Sequence, residues 1–293
     1  MHKIAIIIKT TPNRKSLIWL LNSIELSLHD VNYRIYIADE EPLDEWKTEL
    51  YDNLKDQGHF VKIWDKPVAV TIARNHLIDQ LQDESFVLRV DDDFELGGEF
   101  NIHALLTVLG HNDIDFCSDV ERQIGKGKGL RSGDLRVQSA NIVLRDNNNP
   151  IIKLNKDNRW KYTTHKGINY AKADFMRNLI LLKRKCFEFV RWNEDLNFEG
   201  EHADFYLSLK KNGLQGAFTP DSIHYHRDDL KYMMIDKNED SEIRKSLSVN
   251  QTVNETFDKK WNGYPDIKYT GVYGIYKKFK NYVRNNIRKY IDI

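Results

Sequence analysis

Residues 4–8, Ile-Ala-Ile-Ile-Ile, form an unbroken apolar run. A run apolar at every position fits a strand covered on both faces. Thr11-Pro12 follows and predicts an N-cap and a first helical position. Leu17, Leu20, Leu21, Ile24 and Leu28 then recur at three- and four-residue steps, which is the core stripe of a helix. The alternation repeats: residues 33–38, 60–64 and 86–90 read as further strands. Between them, Pro42 opens a helix carrying Leu43, Trp46, Leu50 and Leu54. Thr71 caps another, carrying Ile72, Leu77 and Leu81. Strands alternating with helices predict βαβ units, a parallel sheet and right-handed crossovers.

The pattern changes in the middle of the chain. Gly125-Lys126-Gly127-Lys128-Gly129 predicts a flexible loop. Residues 141–144 and 151–154, joined by Asp-Asn-Asn-Asn-Pro, predict a hairpin or meander. Residues 175–182 are a further apolar stretch, and 201–211 predict a helix stopped by Asn212-Gly213. Residues 235–255 are polar and weakly patterned. From Tyr269 to Ile291 there is no acid, six Lys or Arg, and an apolar stripe through Val272, Tyr276, Phe279, Val283, Ile287 and Tyr290. Such a basic amphipathic helix fits an anionic membrane surface, or a terminal helix packed on the domain. The expected division is a main α/β domain over 1–234 and a basic helical appendage over 235–293.

Composition narrows the class. The 293 residues are 41% hydrophobic and 30% charged, enough apolar content for a large core. Lys plus Arg and Asp plus Glu are both 44, so net charge gives no support for a nucleic-acid partner. Two cysteines with no metal-type spacing argue against a disulfide scaffold and fit a reducing cytoplasm. No apolar run near the start is long enough for a signal or a membrane span.

Ligands of an open α/β sheet bind beyond the carboxyl ends of its strands. Here those ends read Lys9-Thr10-Thr11, Asp39-Glu40-Glu41 and Asp91-Asp92-Asp93. No GxGxxG follows any strand, and the Gly125 cluster lacks a GK[ST] ending, which excludes the dinucleotide and P-loop readings. In an extended segment Asp91 and Asp93 point the same way, and two such carboxylates suit a hard divalent ion. Glu201 and Asp204 lie at i and i+3 in a first helical turn, where a carboxylate is stabilised and can serve as a general base. His224 and His226 share a face if residues 223–226 are a strand, and one imidazole could complete a metal site begun by the acids.

These clusters occur in the order found in GT-A fold glycosyltransferases. Over residues 3–230 the chain resembles family 2-type nucleotide-sugar transferases, especially the β-1,4-N-acetylgalactosaminyltransferase-like branch. Lys9-Thr10-Thr11-Pro12-Asn13-Arg14 resembles the first nucleotide-contacting loop, and Asp39 the second-strand acid that meets uridine. Thr71-Ile72-Ala73-Arg74-Asn75 resembles the helix start whose arginine, Arg74, touches the nucleotide. Val90-Asp91-Asp92-Asp93-Phe94 resembles the DXD segment, and Ala173-Asp174-Phe175-Met176-Arg177-Asn178 the stretch along the donor and acceptor sugars, with Asp174 and Asn178 in contact. Gly200-Glu201-His202-Ala203-Asp204-Phe205 resembles the acidic helix start that supplies an inverting base, and His226 the third metal ligand. Many relatives have Glu-Asp where this chain has Glu201-His202, so the base is Asp204, Glu201 or His202, with Asp204 ranked first.

The resemblance implies a Rossmann-like GT-A sheet flanked by helices. It implies donor contacts from Thr10, Thr11, Arg14, Asp39, Arg74, Asp91 and Asp92, and Mn²⁺ or Mg²⁺ on Asp93, His226 and Asp91. The implied reaction moves GalNAc, GlcNAc, Gal or Glc from a UDP-sugar to a glycan or lipid-linked acceptor in polysaccharide synthesis, on or near the inner face of a cell membrane. A sugar-nucleotide pyrophosphorylase and an inactive sugar-nucleotide-binding module are the alternatives.

Overall fold

The structure is a computed structural model that describes residues 3–12, 14–125, 133, 135–136, 139–146, 148–155, 160–176, 179–197, 199–227 and 250–270. The first half alternates as the pattern predicts: β1 (Lys3–Lys9), α1 (Ser16–Ser27), β2 (Asn32–Glu40), α2 (Glu45–Asp56), β3 (Phe60–Trp64), α3 (Val70–Asp79) and β4 (Phe86–Asp91). There follow β5 (Phe94–Glu95), α4 (Ile102–Leu109), β6 (Phe116–Ile124), β7 (Leu135–Arg136), β8 (Ala140–Val143), β9 (Ile151–Asn155), β10 (Thr163–His165), β11 (Ile168–Lys172) and β12 (Ile180–Lys183). A 3-10 turn (Arg184–Glu188), α5 (Glu201–Lys211), β13 (Gly216–Arg227), α6 (Asn250–Trp261) and β14 (Asp266–Thr270) complete the described elements.

The main sheet runs β3-β2-β1-β4-β12-β6-β13-β11-β10, with β5 on β13 and β7 on β6. β1 to β4 are mutually parallel where they pair, and β12 runs antiparallel to both β4 and β6. Both faces of β1 are covered, as its apolar run requires. Ile4, Ile6 and Ile8 pack with Leu17, Leu20, Ile24, Tyr51 and Leu105 from α1, α2 and α4. Ala5 and Ile7 pack with Ala73, Leu77, Phe205 and Phe257 from α3, α5 and α6. Helix–sheet–helix layering results, and strand order reverses at β1, where the chain first winds to β2 and then returns to β4. That reversal opens a crevice beyond the carboxyl ends of β1 and β4.

Several boundaries differ from the sequence expectation. Helix α1 begins at Ser16, so Thr11-Pro12 stays in the loop after β1. Helix α2 opens at Glu45 rather than at Pro42. Thr71 lies inside α3 and donates instead to the Leu196 carbonyl at 2.8 Å. The hairpin of β8 and β9 and the span of α5 match the pattern, while of the apolar stretch 175–182 only the end becomes β12. Among the glycines of the 125–129 cluster only Gly125 is described.

The largest difference is C-terminal. The polar, weakly patterned stretch 235–255 runs into α6 (Asn250–Trp261), whose Val253, Phe257 and Trp261 join the core. Strand β14 pairs in parallel with β9, so Tyr269 and Thr270 lie in a strand. A boundary at 234 therefore does not separate residues 250–270 from the main core. The basic stripe beyond 270 lies outside the described residues. Among the described residues no helix is long and apolar enough to cross a membrane.

Gly200 shows why α6 fits. It precedes α5 with φ +81°, and a Cβ there would sit 2.7 Å from the Phe257 ring. Phe257 is fully buried. Phe257→Ala should lower unfolding free energy by about 3–5 kcal/mol in denaturant titration, as deletion of a buried aromatic does. A loss under ~0.5 kcal/mol, the range of ordinary surface changes, would show that α6 lies outside the core.

Candidate active site

The three consecutive acids close β4 and form the turn into β5, and each has its own partners. Asp91 accepts from Arg89 at 2.6 Å and from Arg74 at 3.3 Å, both through Oδ1. Asp92 accepts from the Thr10 hydroxyl at 2.7 Å and pairs with Arg14 at 3.5 Å. Asp93 faces His226 Nε2 at 3.5 Å. Asp91 and Asp93 thus have different charged partners, two arginines for the first and an imidazole for the second. The strand ends at Asp91, and the turn redirects the next two side chains.

Partners come from elements that the fold brings to the crevice. Thr10 and Arg14 stand in the loop after β1, whose Lys9 pairs in register with Asp91. β13 delivers His226 because it pairs with β5, placing His226 opposite Phe94. The Arg227 N–H donates to the Asp93 carbonyl at 2.9 Å and fixes the turn against β13. His226 Nδ1 lies 3.5 Å from Glu121 on β6. His224, two residues earlier, is fully buried and pairs with Asp119 at 2.7 Å, so it is a core histidine. Both rings pack against Phe94, as same-face residues of one strand should.

Electrostatics follow from burial. Burial raises the Asp92 carboxyl, opposed by Arg14 and the Thr10 hydroxyl. Arg74 is buried over the Trp192 ring, at 5.7 Å, and burial with repulsion from Arg89 lowers it to about 10. Burial likewise raises Glu201 above the ordinary carboxylate range, against the pull of Arg74. Burial works against charge on His226, but Asp93 and Glu121 outweigh it and raise the imidazole to about 10.

Glu201 begins α5, and its Oε1 lies 3.2 Å from His202 Nε2. The electrostatic reach of Arg74 to both Asp91 and Glu201 puts the latter beside the acid turn. The helix start is held over α3 by the preceding loop. Asn75 donates to the Trp192 carbonyl and to Glu194, each at 2.9 Å, and accepts from the Trp192 N–H at 3.0 Å.

Other predicted residues are placed differently. Asp204, ranked first as base, has no exposed surface; Trp261 Nε1 donates to one oxygen at 2.7 Å and Lys260 Nζ to the other at 2.8 Å. Both carboxylate oxygens of Asp204 are thus occupied by donors from α6. Asp39 is fully buried between Lys47 at 2.6 Å and Tyr51 at 2.5 Å. Asp174 accepts from the Ile142 N–H at 2.9 Å and Lys210 at 2.8 Å, tying β8 to α5. Thr11 gives its carbonyl to Lys47 at 2.7 Å. Asn178 lies outside the described residues. Sequence reasoning missed Arg89 and Glu121. For Arg89 the signal was a charge inside an otherwise apolar strand; Glu121 sits in a strand already rich in polar residues and carried no such signal.

The donor set at the turn suits a hard divalent ion. Asp93 and His226 offer one carboxylate and one imidazole, both largely buried. Among the described residues no three His, Cys, Asp or Glu gather as a complete cage. Two protein ligands suit an ion that completes its shell from water and phosphate, as Mg²⁺ and Mn²⁺ do.

No protein-family model matches the chain, and no curated protein matches it by sequence. Solved structures do. GalNAc-T7, crystallised with UDP, GalNAc and Mn²⁺, superposes with a TM-score of 0.55 at 14% identity, over 76% of this chain and 43% of that one. Residues 1–349 of TarS from S. aureus superpose with a TM-score of 0.53 at 14% identity, over 88% of this chain and 72% of that one. The chain thus spans less than half of the GalNAc-T7 chain. The likeness establishes the fold, which is GT-A.

The His226 shift has a testable sign. Its imidazole stays charged to about pH 10 in the fold, against 6.5 ordinarily. Stability from this group is therefore complete below pH 6.5 and is lost as pH rises towards 10. Urea titrations of metal-free protein at pH 6, 8 and 10 should show that decline, and His226→Gln should flatten it. An equal slope in both proteins would remove His226 as the cause.

Proposed function

We propose that the chain is a metal-dependent glycosyltransferase that moves a hexose or N-acetylhexosamine from a UDP-sugar to a hydroxyl of a glycan or lipid-linked acceptor, with inversion. The observation that carries this reading is the meeting of Asp93 and His226, 3.5 Å apart, at the carboxyl edge of a GT-A sheet. The UDP, GalNAc and Mn²⁺ held by the structural neighbour GalNAc-T7 support it.

Asp93 and His226 would hold the ion. When bound there, a divalent ion supplies positive charge to offset the two phosphates of the leaving nucleotide. Glu121 keeps the imidazole turned with Nε2 towards Asp93. Thr10 and Arg14, tied to Asp92, fix the loop that borders the nucleotide. Arg74 and Asp91 form the adjoining wall for ribose or phosphate. Glu201 is the general base. Burial raises its carboxyl, and a raised carboxylate takes a proton from a hydroxyl more readily than an ordinary one. His202 touches Glu201 and orients it.

The test is release of UDP from UDP-GalNAc, UDP-GlcNAc, UDP-Gal and UDP-Glc, with Mn²⁺, Mg²⁺ or chelator. One donor should turn over slowly, only with metal, and an added glycan acceptor should speed it. Glu201→Gln should lower kcat by roughly 10²–10⁴ with donor binding kept. Because the Glu201 carboxyl is raised, the acid limb of kcat should sit above the ordinary glutamate value of about 4.3. Pyrophosphate exchange in place of UDP release would make the chain a pyrophosphorylase. Metal-dependent binding without turnover would make it an inactive module.

A further inference from the structure

Helix α5 starts without a side-chain cap: Gly200 is its N-cap residue. Uncapped first turns leave backbone donors unsatisfied and fray readily. Yet this turn carries Glu201. What holds it comes from α6. The Asp204 N–H donates to the Gly200 carbonyl at 2.9 Å and so closes the turn that contains Glu201. The same residue's carboxylate is gripped by Lys260 at 2.8 Å and Trp261 at 2.7 Å. Lys260 also donates to Ser208 at 3.1 Å, one turn further along α5. On the other side, the Phe257 ring lies against Gly200. Three side chains of one helix thus clamp the first turn of another.

We propose that Asp204, Lys260 and Trp261 form a latch that positions Glu201, so that residues 250–261 belong to the catalytic unit although they touch none of the donor-side groups described above. The inference rests on Glu201 being the base. Lys260 and Trp261 are positioning residues. Their effect is geometric: a misplacement of about 1 Å can cost a rate of order 10²-fold. The polar contacts of the latch go to Asp204 and Ser208 of α5, so it acts on turnover rather than on donor affinity. Asp204 serves here as an anchor, buried with both carboxylate oxygens hydrogen-bonded, and not as a proton acceptor.

Four single variants separate the possibilities: Glu201→Gln, Asp204→Asn, Lys260→Met and Trp261→Phe, with the double variant Asp204→Asn/Lys260→Met. Binding of UDP with Mn²⁺ is measured by calorimetry, turnover by UDP release, and order in residues 200–204 by amide hydrogen exchange. Lys260→Met and Trp261→Phe should each lose about tenfold or more in kcat while donor KM and UDP binding stay within about twofold. Exchange in the first turn of α5 should quicken, with β1 and β4 unchanged. The double variant should be no worse than its worse single, because the two residues act as one unit. A dead Glu201→Gln beside fully active Lys260→Met and Trp261→Phe overturns the latch alone. Full activity of Glu201→Gln overturns the base assignment and the latch's purpose with it. A dead Asp204→Asn beside normal Lys260→Met makes Asp204 the base and overturns both. Unchanged exchange in the Lys260→Met and Trp261→Phe proteins overturns the latch without any substrate.

Discussion

Three carboxylates in succession at the end of a buried strand set the constraint on this site. Charges so close repel, and a largely buried carboxylate needs a counter-charge or hydrogen-bond donors to stay ionised. The chain meets that need by giving each acid a partner from a different part of the fold. Arg74 and Arg89 serve Asp91, Thr10 and Arg14 serve Asp92, and His226 serves Asp93. None of these partners is local except Arg89. The turn can therefore keep its charge only when α3, the loop after β1 and strand β13 are all in place. The same interactions that make the acids tolerable bring the remaining site residues to one edge.

The other buried acids separate by how completely they are satisfied. Asp39, Asp174 and Asp204 each have both carboxylate oxygens taken by protein donors. Such a group is a staple: removing one partner would strand a buried charge, and it has little left to offer a ligand. Glu201 differs. It is buried beside a histidine and within the field of Arg74, and burial dominates, so its carboxyl is raised. Asp204 is held on both oxygens as a structural group, despite its place in the same motif as Glu201.

Much of the fold was legible because its signals were local. The unbroken apolar run of residues 4–8 and the repeated strand–helix alternation specify a parallel sheet, and α5 was legible down to its ends. That His226 is the histidine beside Asp93 could not be read from the residues alone, which left His224 and His226 equivalent; only the resemblance singled it out. What failed depended on contacts distant in sequence. Asp204 could not be told from a base, because Lys260 and Trp261 stand more than fifty residues away. Helix α6 escaped notice because only Val253, Phe257 and Trp261 mark its face, and four-residue spacing among polar neighbours is a faint stripe. Arg89 and Glu121 were hidden by their strands, where a buried charge has meaning only once its partner is known.

The two-ligand character of the Asp93–His226 pair bears on how the site would be used. A hard ion needs about six oxygen or nitrogen ligands. On the proposed reading, two come from the chain and most of the rest from water and from the donor's phosphates. Ion and donor affinities are then linked, and by reciprocity each strengthens the other to the same extent. Neither alone should bind the crevice well. On this reading the ion adds positive charge at an edge where Arg74, Arg89, Arg14 and His226 already offset the three acids. On the proposed reading, binding of the ion would exchange the proton on His226 for a metal shared with Asp93. The arginines that satisfy Asp91 keep one acid of the run out of that exchange.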